Sequence, residues 1–114
     1  MKREVTLRFA KTNIETWKFI KNGKKKVETR AGTVKYLKLQ KGDTLVLSCG
    51  GSKLKKKIKN IRHFKTVVSL IKKYKPGVIN PGCSTIKDME AMYYSYPGYK
   101  EKIKKFGILA FELE

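Results

Sequence analysis

Cysteine, histidine and acidic residues are scarce in this 114-residue sequence. The two cysteines, Cys49 and Cys83, form no Cys-x-x-Cys pair, and His63 is the one histidine. A disulfide framework or a zinc site is therefore not expected, and we predict a reduced, cytoplasmic, monomeric protein without a metal or cofactor. Long apolar runs are also missing, so no membrane-spanning segment is predicted. The start, MKREVTLRF, lacks the apolar stretch of a signal peptide.

Basic residues are abundant in the sequence. The sequence has 28 Lys and Arg against 9 Asp and Glu, which gives a net charge of +19. Between Asp43 and Asp88 there is no acidic residue at all. Such an excess destabilises a fold by self-repulsion unless an anionic partner offsets it, and it predicts binding to nucleic acid. The alternative is a compositional bias that reflects genome or growth temperature.

The pattern of apolar residues predicts one α+β domain over residues 1–114. Alternation and turn signals place strands at Glu4–Phe9, Lys26–Arg30, Thr44–Cys49, Lys53–Phe64 and Gly107–Leu113. Helices are predicted after a capping box at Thr12–Glu15, over Thr66–Tyr74, from Ser84 or Thr85 to Tyr94, and over Tyr99–Lys105, with residues 75–84 as a loop. Five strands with inserted helices favour a small, mostly antiparallel β-barrel.

The fourth predicted strand carries a row of lysines. Because strand side chains alternate, Lys53, Lys55, Lys57 and Lys59 share one face and Arg62 follows them. These cations are suited to following a phosphate backbone without reading bases. Alternatively, the lysines guard an edge strand against aggregation.

Four of the six tyrosines lie in the segment Met92–Tyr99. Next to a basic surface, Tyr93 and Tyr96 could stack on unpaired bases. The alternative is that the rings are half-buried, with their hydroxyl groups bonded at the rim of the core.

The stretch NGKKKVETR, residues 22–30, is the candidate for chemistry. On a strand Glu28 and Arg30 project together, and Lys25 joins them only if the chain bends or bulges after Gly23. An arginine partner keeps the glutamate ionised, and a neighbouring arginine disfavours the charged form of the lysine. The alternative is an ordinary surface ion pair of little energetic weight.

Three motifs in order resemble the ASCH domain family. They are Gly23-x-Lys25-x-x-Glu28-x-Arg30, the turn Lys41-Gly42-Asp43 before a strand, and Tyr93-Tyr94-x-Tyr96-Pro97-Gly98 followed by Phe106-Gly107-Ile108-Leu109-Ala110. The resemblance covers residues 5–113. It implies a PUA-like β-barrel whose cleft holds the first motif on its floor, and an association with RNA.

One bacterial branch of that family removes the acetyl group from N4-acetylcytidine with a lysine that matches Lys25 and a threonine. Glu28 stands in the place of that threonine, so this chemistry is not carried over. The leading hypothesis is an RNA-binding domain that holds a nucleotide or RNA segment in a basic cleft. The alternatives are an amidohydrolase-like or ribonuclease-like enzyme that uses Lys25 and Glu28, and an adaptor for a small molecule or a protein.

Overall fold

The structure is a computed structural model that describes residues 2–114. Its five strands form a curled, half-barrel sheet in the order β1-β3-β4-β5-β2. They are β1 Glu4–Phe9, β2 Val27–Ala31, β3 Thr44–Cys49, β4 Ser52–Phe64 and β5 Ile108–Leu113. The helices are α1 Ile14–Lys21, α2 Val34–Leu37, α3 Val67–Lys73, α4 Pro76–Ile79, α5 Ile86–Ser95 and α6 Tyr99–Phe106.

The sheet is mixed, which refines the predicted, mostly antiparallel β-barrel. β3–β4, β4–β5 and β5–β2 pair antiparallel, whereas β1 runs parallel to β3. Parallel neighbours need a long crossover, and the chain between these two strands contains α1, β2 and α2. Strand direction is not encoded in local alternation, so the sequence pattern could not show it.

Each face of the sheet buries its own core. α1 closes the concave face, where Trp17 packs with Leu45, Leu47 and Phe111 and donates from Nε1 to the Leu47 carbonyl at 2.8 Å. Helices α3 to α6 pack on the other side of β5 and β2, around residues such as Met89. Strand β5 serves both cores, which explains why its first four residues are all buried.

Local signals account for most element boundaries. The β3–β4 hairpin turns through Gly50 and Gly51, both with positive φ, as two-residue hairpins prefer. Capping boxes at Thr66 and Thr85 begin α3 and α5.

Two local predictions were wrong and one element was missed. No capping box forms at Thr12, because residues 11–13 make a 3-10 turn that leaves Asn13 as the N-cap, without a side-chain cap bond. The predicted loop 75–84 contains α4, one turn started by Pro76, whose fixed φ suits a first helical position. The short α2 was not predicted.

None of the helices within residues 2–114 is both long and apolar enough to cross a lipid bilayer.

Candidate functional site

A cavity of about 150 Å³ lies where the two edge strands of the sheet, β1 and β2, leave the half-barrel open. The end of β1 and the start of α1 form one wall, and β2 forms the floor. The opposite wall comes from α4, α5 and the start of α6. The side chains that line the cavity include Phe9, Glu28, Arg30, Tyr93, Tyr96 and Tyr99.

The register of β2 decides which of its side chains meet at this cavity. Glu28 pairs with Phe111 and Arg30 pairs with Leu109, two residues of the concave core. Because cross-strand partners share a face, Glu28 and Arg30 also point to the concave side. Thr29 points to the helical side, where its Oγ1 lies 2.5 Å from the Tyr93 hydroxyl.

Gly23 turns the chain so that Lys25 reaches the same place. Its φ of 84° lies in the left-handed region, and the chain returns so that the Lys25 amide donates to the Phe19 carbonyl at 2.9 Å. The Lys25 ammonium then lies 3.3 Å from Glu28 Oε1. It also donates to the carbonyls of Val27 at 2.7 Å and Ile79 at 2.5 Å.

Glu28 connects three groups at the cavity floor. Besides contacting Lys25, its carboxylate lies 3.4 Å from Arg30 Nη2 and accepts a hydrogen bond from the Thr29 amide at 2.9 Å. Burial opposes ionisation of Glu28, but the two cations and the amide outweigh it and hold the Glu28 pKa below its ordinary value. The Arg30 guanidinium lies 5.1 Å from the ring centre of Phe9, so it also bridges the open seam between β2 and β1.

The surroundings of Lys25 bear on its chemistry. Burial lowers its pKa, and the Glu28 carboxylate opposes that shift. Nζ has three acceptors, two carbonyls and a carboxylate, which match the three protons of an ammonium. A neutral amine would have to turn its lone pair toward one of these oxygens. The geometry therefore supports a buried, charged anchor and offers no lone pair for nucleophilic attack.

The aromatic wall is built from three tyrosines. Tyr93 is 2% exposed, so its ring belongs to the core, contrary to the expectation that it could stack on a base. Its ring stacks on Tyr99 with a 6.4 Å centroid separation, and Tyr96 meets Tyr99 edge-on at 5.4 Å. Tyr96 is half-buried and borders the cavity. Burial raises the pKa of both Tyr96 and Tyr99, so these hydroxyl groups stay protonated at neutral pH.

The remaining predicted residues lie elsewhere. Gly23 and Lys59 border a second opening at the other end of the sheet, together with Lys26 and Lys56. Arg62 is 3.4 Å from Glu112, which also accepts the Tyr74 hydroxyl. The lysines at positions 53, 55 and 57 are exposed on the outer face of β4.

The sequence pattern missed Arg8, Phe9 and Tyr99 as parts of the cavity wall. Tyr99 lies in the same aromatic segment, Met92–Tyr99, that made Tyr93 and Tyr96 candidates, so the sequence also indicated Tyr99 as a candidate. Phe9 and Arg8 reach the cavity only because β1 is an edge strand, which no local pattern indicates.

Across residues 2–114, no three His, Cys, Asp or Glu side chains come together as metal ligands.

This fold and site define a small α+β half-barrel domain with a polar, aromatic-walled cavity at the open edges of its sheet. Similar solved structures include the crystal structure of the hypothetical protein PH0355, with 32% identity, a TM-score of 0.82 and coverage of 100% of this chain and 98% of that one. They also include the solution NMR structure of protein PF0455 from Pyrococcus furiosus, with 30% identity, a TM-score of 0.68 and coverage of 100% and 96%. The chain belongs to the family of these two proteins. No protein-family model and no curated protein matches it.

Proposed function

We propose that this protein is an ASCH-type, PUA-like RNA-binding domain whose cavity holds one unpaired base. The observation that carries the proposal is the Glu28–Arg30 pair, held between Phe9 and the tyrosine wall. Glu28 offers acceptor positions and Arg30 offers donors that are not used in their mutual contact. Hydrogen bonds to base edges combined with aromatic walls are how proteins recognise unpaired bases in RNA.

The size of the cavity limits what enters it. A cavity of about 150 Å³ holds a group the size of benzene. One base ring therefore fits inside, and the sugar and phosphate of the same nucleotide remain outside. The net charge of +19 supplies the attraction for those phosphates.

An enzyme that uses Lys25 as its nucleophile is the alternative. The three acceptors around the Lys25 amine do not favour it. We therefore assign Lys25 to holding Glu28 in place rather than to a chemical step.

A binding titration with single-stranded RNA at rising salt tests the proposal. Affinity should fall steeply with salt, because each phosphate contact releases counterions. Arg30→Lys keeps the charge but loses the planar, forked donor arrangement. We expect it to weaken binding about tenfold or more, since a hydrogen bond to a charged group contributes ~1.5–3 kcal/mol.

Lys104→Gln is the control, because it removes a whole charge from an exposed position on α6, a larger change in net charge than Arg30→Lys makes. It should change affinity much less than Arg30→Lys does. Equal binding by Arg30→Lys and the wild type, or affinity that does not depend on salt, would contradict the proposal.

A further inference from the structure

The outer face of β1, β3 and β4 places basic side chains in a defined order relative to the cavity. Arg8 of β1 pairs with Ser48 of β3, and Ser48 pairs with Lys53 of β4. Arg8 and Lys53 are therefore in one row across the sheet, about 10 Å apart at two strand spacings. The next two rows are Thr6–Val46–Lys55 and Glu4–Thr44–Lys57.

The edge-guard explanation accounts for the presence of these lysines but not for their arrangement relative to the cavity. β4 pairs with β3 over Ser52–Lys57 and with β5 over Ile58–Phe64, so the segment that carries Lys53, Lys55 and Lys57 has a strand neighbour on one side. Lysine protects such an exposed edge from aggregation, but that role does not require the alignment of Lys53 with Arg8 beside the cavity. Like charges brought together on one face of a strand repel one another, which an anionic partner would relieve.

On this outer face, the carboxylate of Glu4 lies at the end away from Arg8. Glu4 lies 3.3 Å from Lys55 and in the same row as Lys57. Arg8 and Lys53, at the other end, have no carboxylate within 4 Å in the described chain. The uncompensated charge is therefore greatest next to the cavity.

Arg8 joins this surface to the cavity. Its side chain is exposed on the outer face of β1 and also borders the cavity, next to Phe9. No other row of the outer face reaches the cavity within residues 2–114. A chain whose base occupies the cavity has Arg8 as the first cation beside its emerging backbone.

We infer that single-stranded RNA leaves the cavity over Arg8 and that its phosphates continue onto Lys53, Lys55 and Lys57. These four residues are the phosphate track. The inference rests on the proposed function and adds the path of the RNA, with Arg8 as a binding residue. Lys59 and Arg62 are not part of the track, because Lys59 lies at the β4 bulge and Arg62 is engaged by Glu112.

The test compares a dinucleotide and a decanucleotide of uridine, both fluorescently labelled. Arg8→Gln/Lys53→Gln removes two track cations, and Lys72→Gln/Lys104→Gln removes two exposed charges outside the track. For single strands each phosphate contact contributes about 0.7 to the slope of log affinity against log salt. The track variant should lower that slope by about 1.4 for the decanucleotide, equivalent to about 25-fold weaker binding at ~0.1 M salt.

For the dinucleotide the slope should fall by only about 0.7, because this RNA reaches Arg8 but ends before Lys53. Equal losses in the track variant and the control variant for the decanucleotide would overturn the phosphate track and leave the cavity proposal intact. Failure of the proposed function gives a different result: Arg30→Lys then binds both RNAs as the wild type does. Circular dichroism of each variant confirms that it is folded.

Discussion

Lys25 and Glu28 form a buried ion pair whose two side chains are 3% and 6% exposed. Removing Lys25 leaves the buried Glu28 carboxylate with Arg30 but without its second cation, whereas removing both charges of the pair avoids that penalty. Lys25 also holds the carbonyl of Ile79, and thus α4, against β2. Lys25 therefore contributes to the stability of the fold rather than to a chemical step.

We predict that Lys25→Met lowers the free energy of unfolding by about 3–5 kcal/mol, measured by urea denaturation. The double variant Lys25→Met/Glu28→Gln should recover part of this loss, because the buried carboxylate that has lost its lysine is then neutralised as well. Lys24→Met, at an exposed neighbouring position, is the control. A Lys25→Met loss no larger than that of Lys24→Met would contradict the buried-anchor role.

At this scale the sequence could predict part of the site. Strand alternation alone places Glu28 and Arg30 on a common side, and Gly23 permits the bend that brings Lys25 to them. The burial of Lys25 could not be predicted, since its acceptor at Ile79 lies 54 residues further along the chain. Whether these residues bind RNA stays a prediction.

Among the elements, β1 depends on one side chain for its first anchor. β1 is an edge strand with β3 as its neighbour, and Asp43 lies directly before β3. Asp43 Oδ1 accepts the Arg3 amide at 2.9 Å, and Oδ2 accepts the Gln40 amide at 2.8 Å. The carboxylate thereby ties the start of β1 to the turn that begins β3.

These two amides hold the Asp43 pKa below its ordinary value of 3.8. A lowered pKa in the folded state means that the stabilisation is full above the unfolded pKa and is lost as pH falls through the folded one. We predict that Asp43→Asn lowers the free energy of unfolding at pH ~7 by about 1–3 kcal/mol, because an amide group cannot accept at both ends.

Urea denaturation between neutral pH and pH ~3 measures this difference. The gap between the wild type and Asp43→Asn should narrow as pH falls below about 4. Glu101→Gln, which removes an exposed carboxylate, is the control and should show a smaller gap at neutral pH. A gap that stays constant down to pH ~3 would show that the ionised carboxylate is not responsible.

Element predictions succeeded where the signal is complete within a few residues. The side chains of Thr66 and Thr85 each accept the backbone amide three positions later, and the side chain at that later position accepts the threonine amide in return. Helices α3 and α5 therefore begin where expected. Thr12 has the same spacing to Glu15, but the preceding 3-10 turn takes up Thr12 and shifts the helix start. The parallel β1–β3 pair joins residues about 40 positions apart, which no local signal specifies.

Over the whole molecule, strand order determines how the charge is arranged. Sequence alternation placed the lysines of β4 on one face, but their relation to the cavity depends on β1 being two strands away. The high net charge could be read directly from composition. Its concentration beside Arg8 follows only from the registers of β1, β3 and β4.

A net charge of +19 makes stability dependent on ionic strength. Salt shortens the screening length from about 30 Å at ~0.01 M to about 10 Å at ~0.1 M, which weakens repulsion across the molecule. We predict that the free energy of unfolding, measured by urea denaturation, rises over this range.

Lys53→Gln/Lys57→Gln should raise stability at low salt by roughly 0.2–1 kcal/mol and reduce the salt dependence, because close like charges on one strand face are removed. The control Lys24→Gln/Lys72→Gln removes equal charge from separate exposed sites and should have a smaller effect. If both pairs change stability equally, net charge alone determines it, and the clustering of lysines on β4 does not.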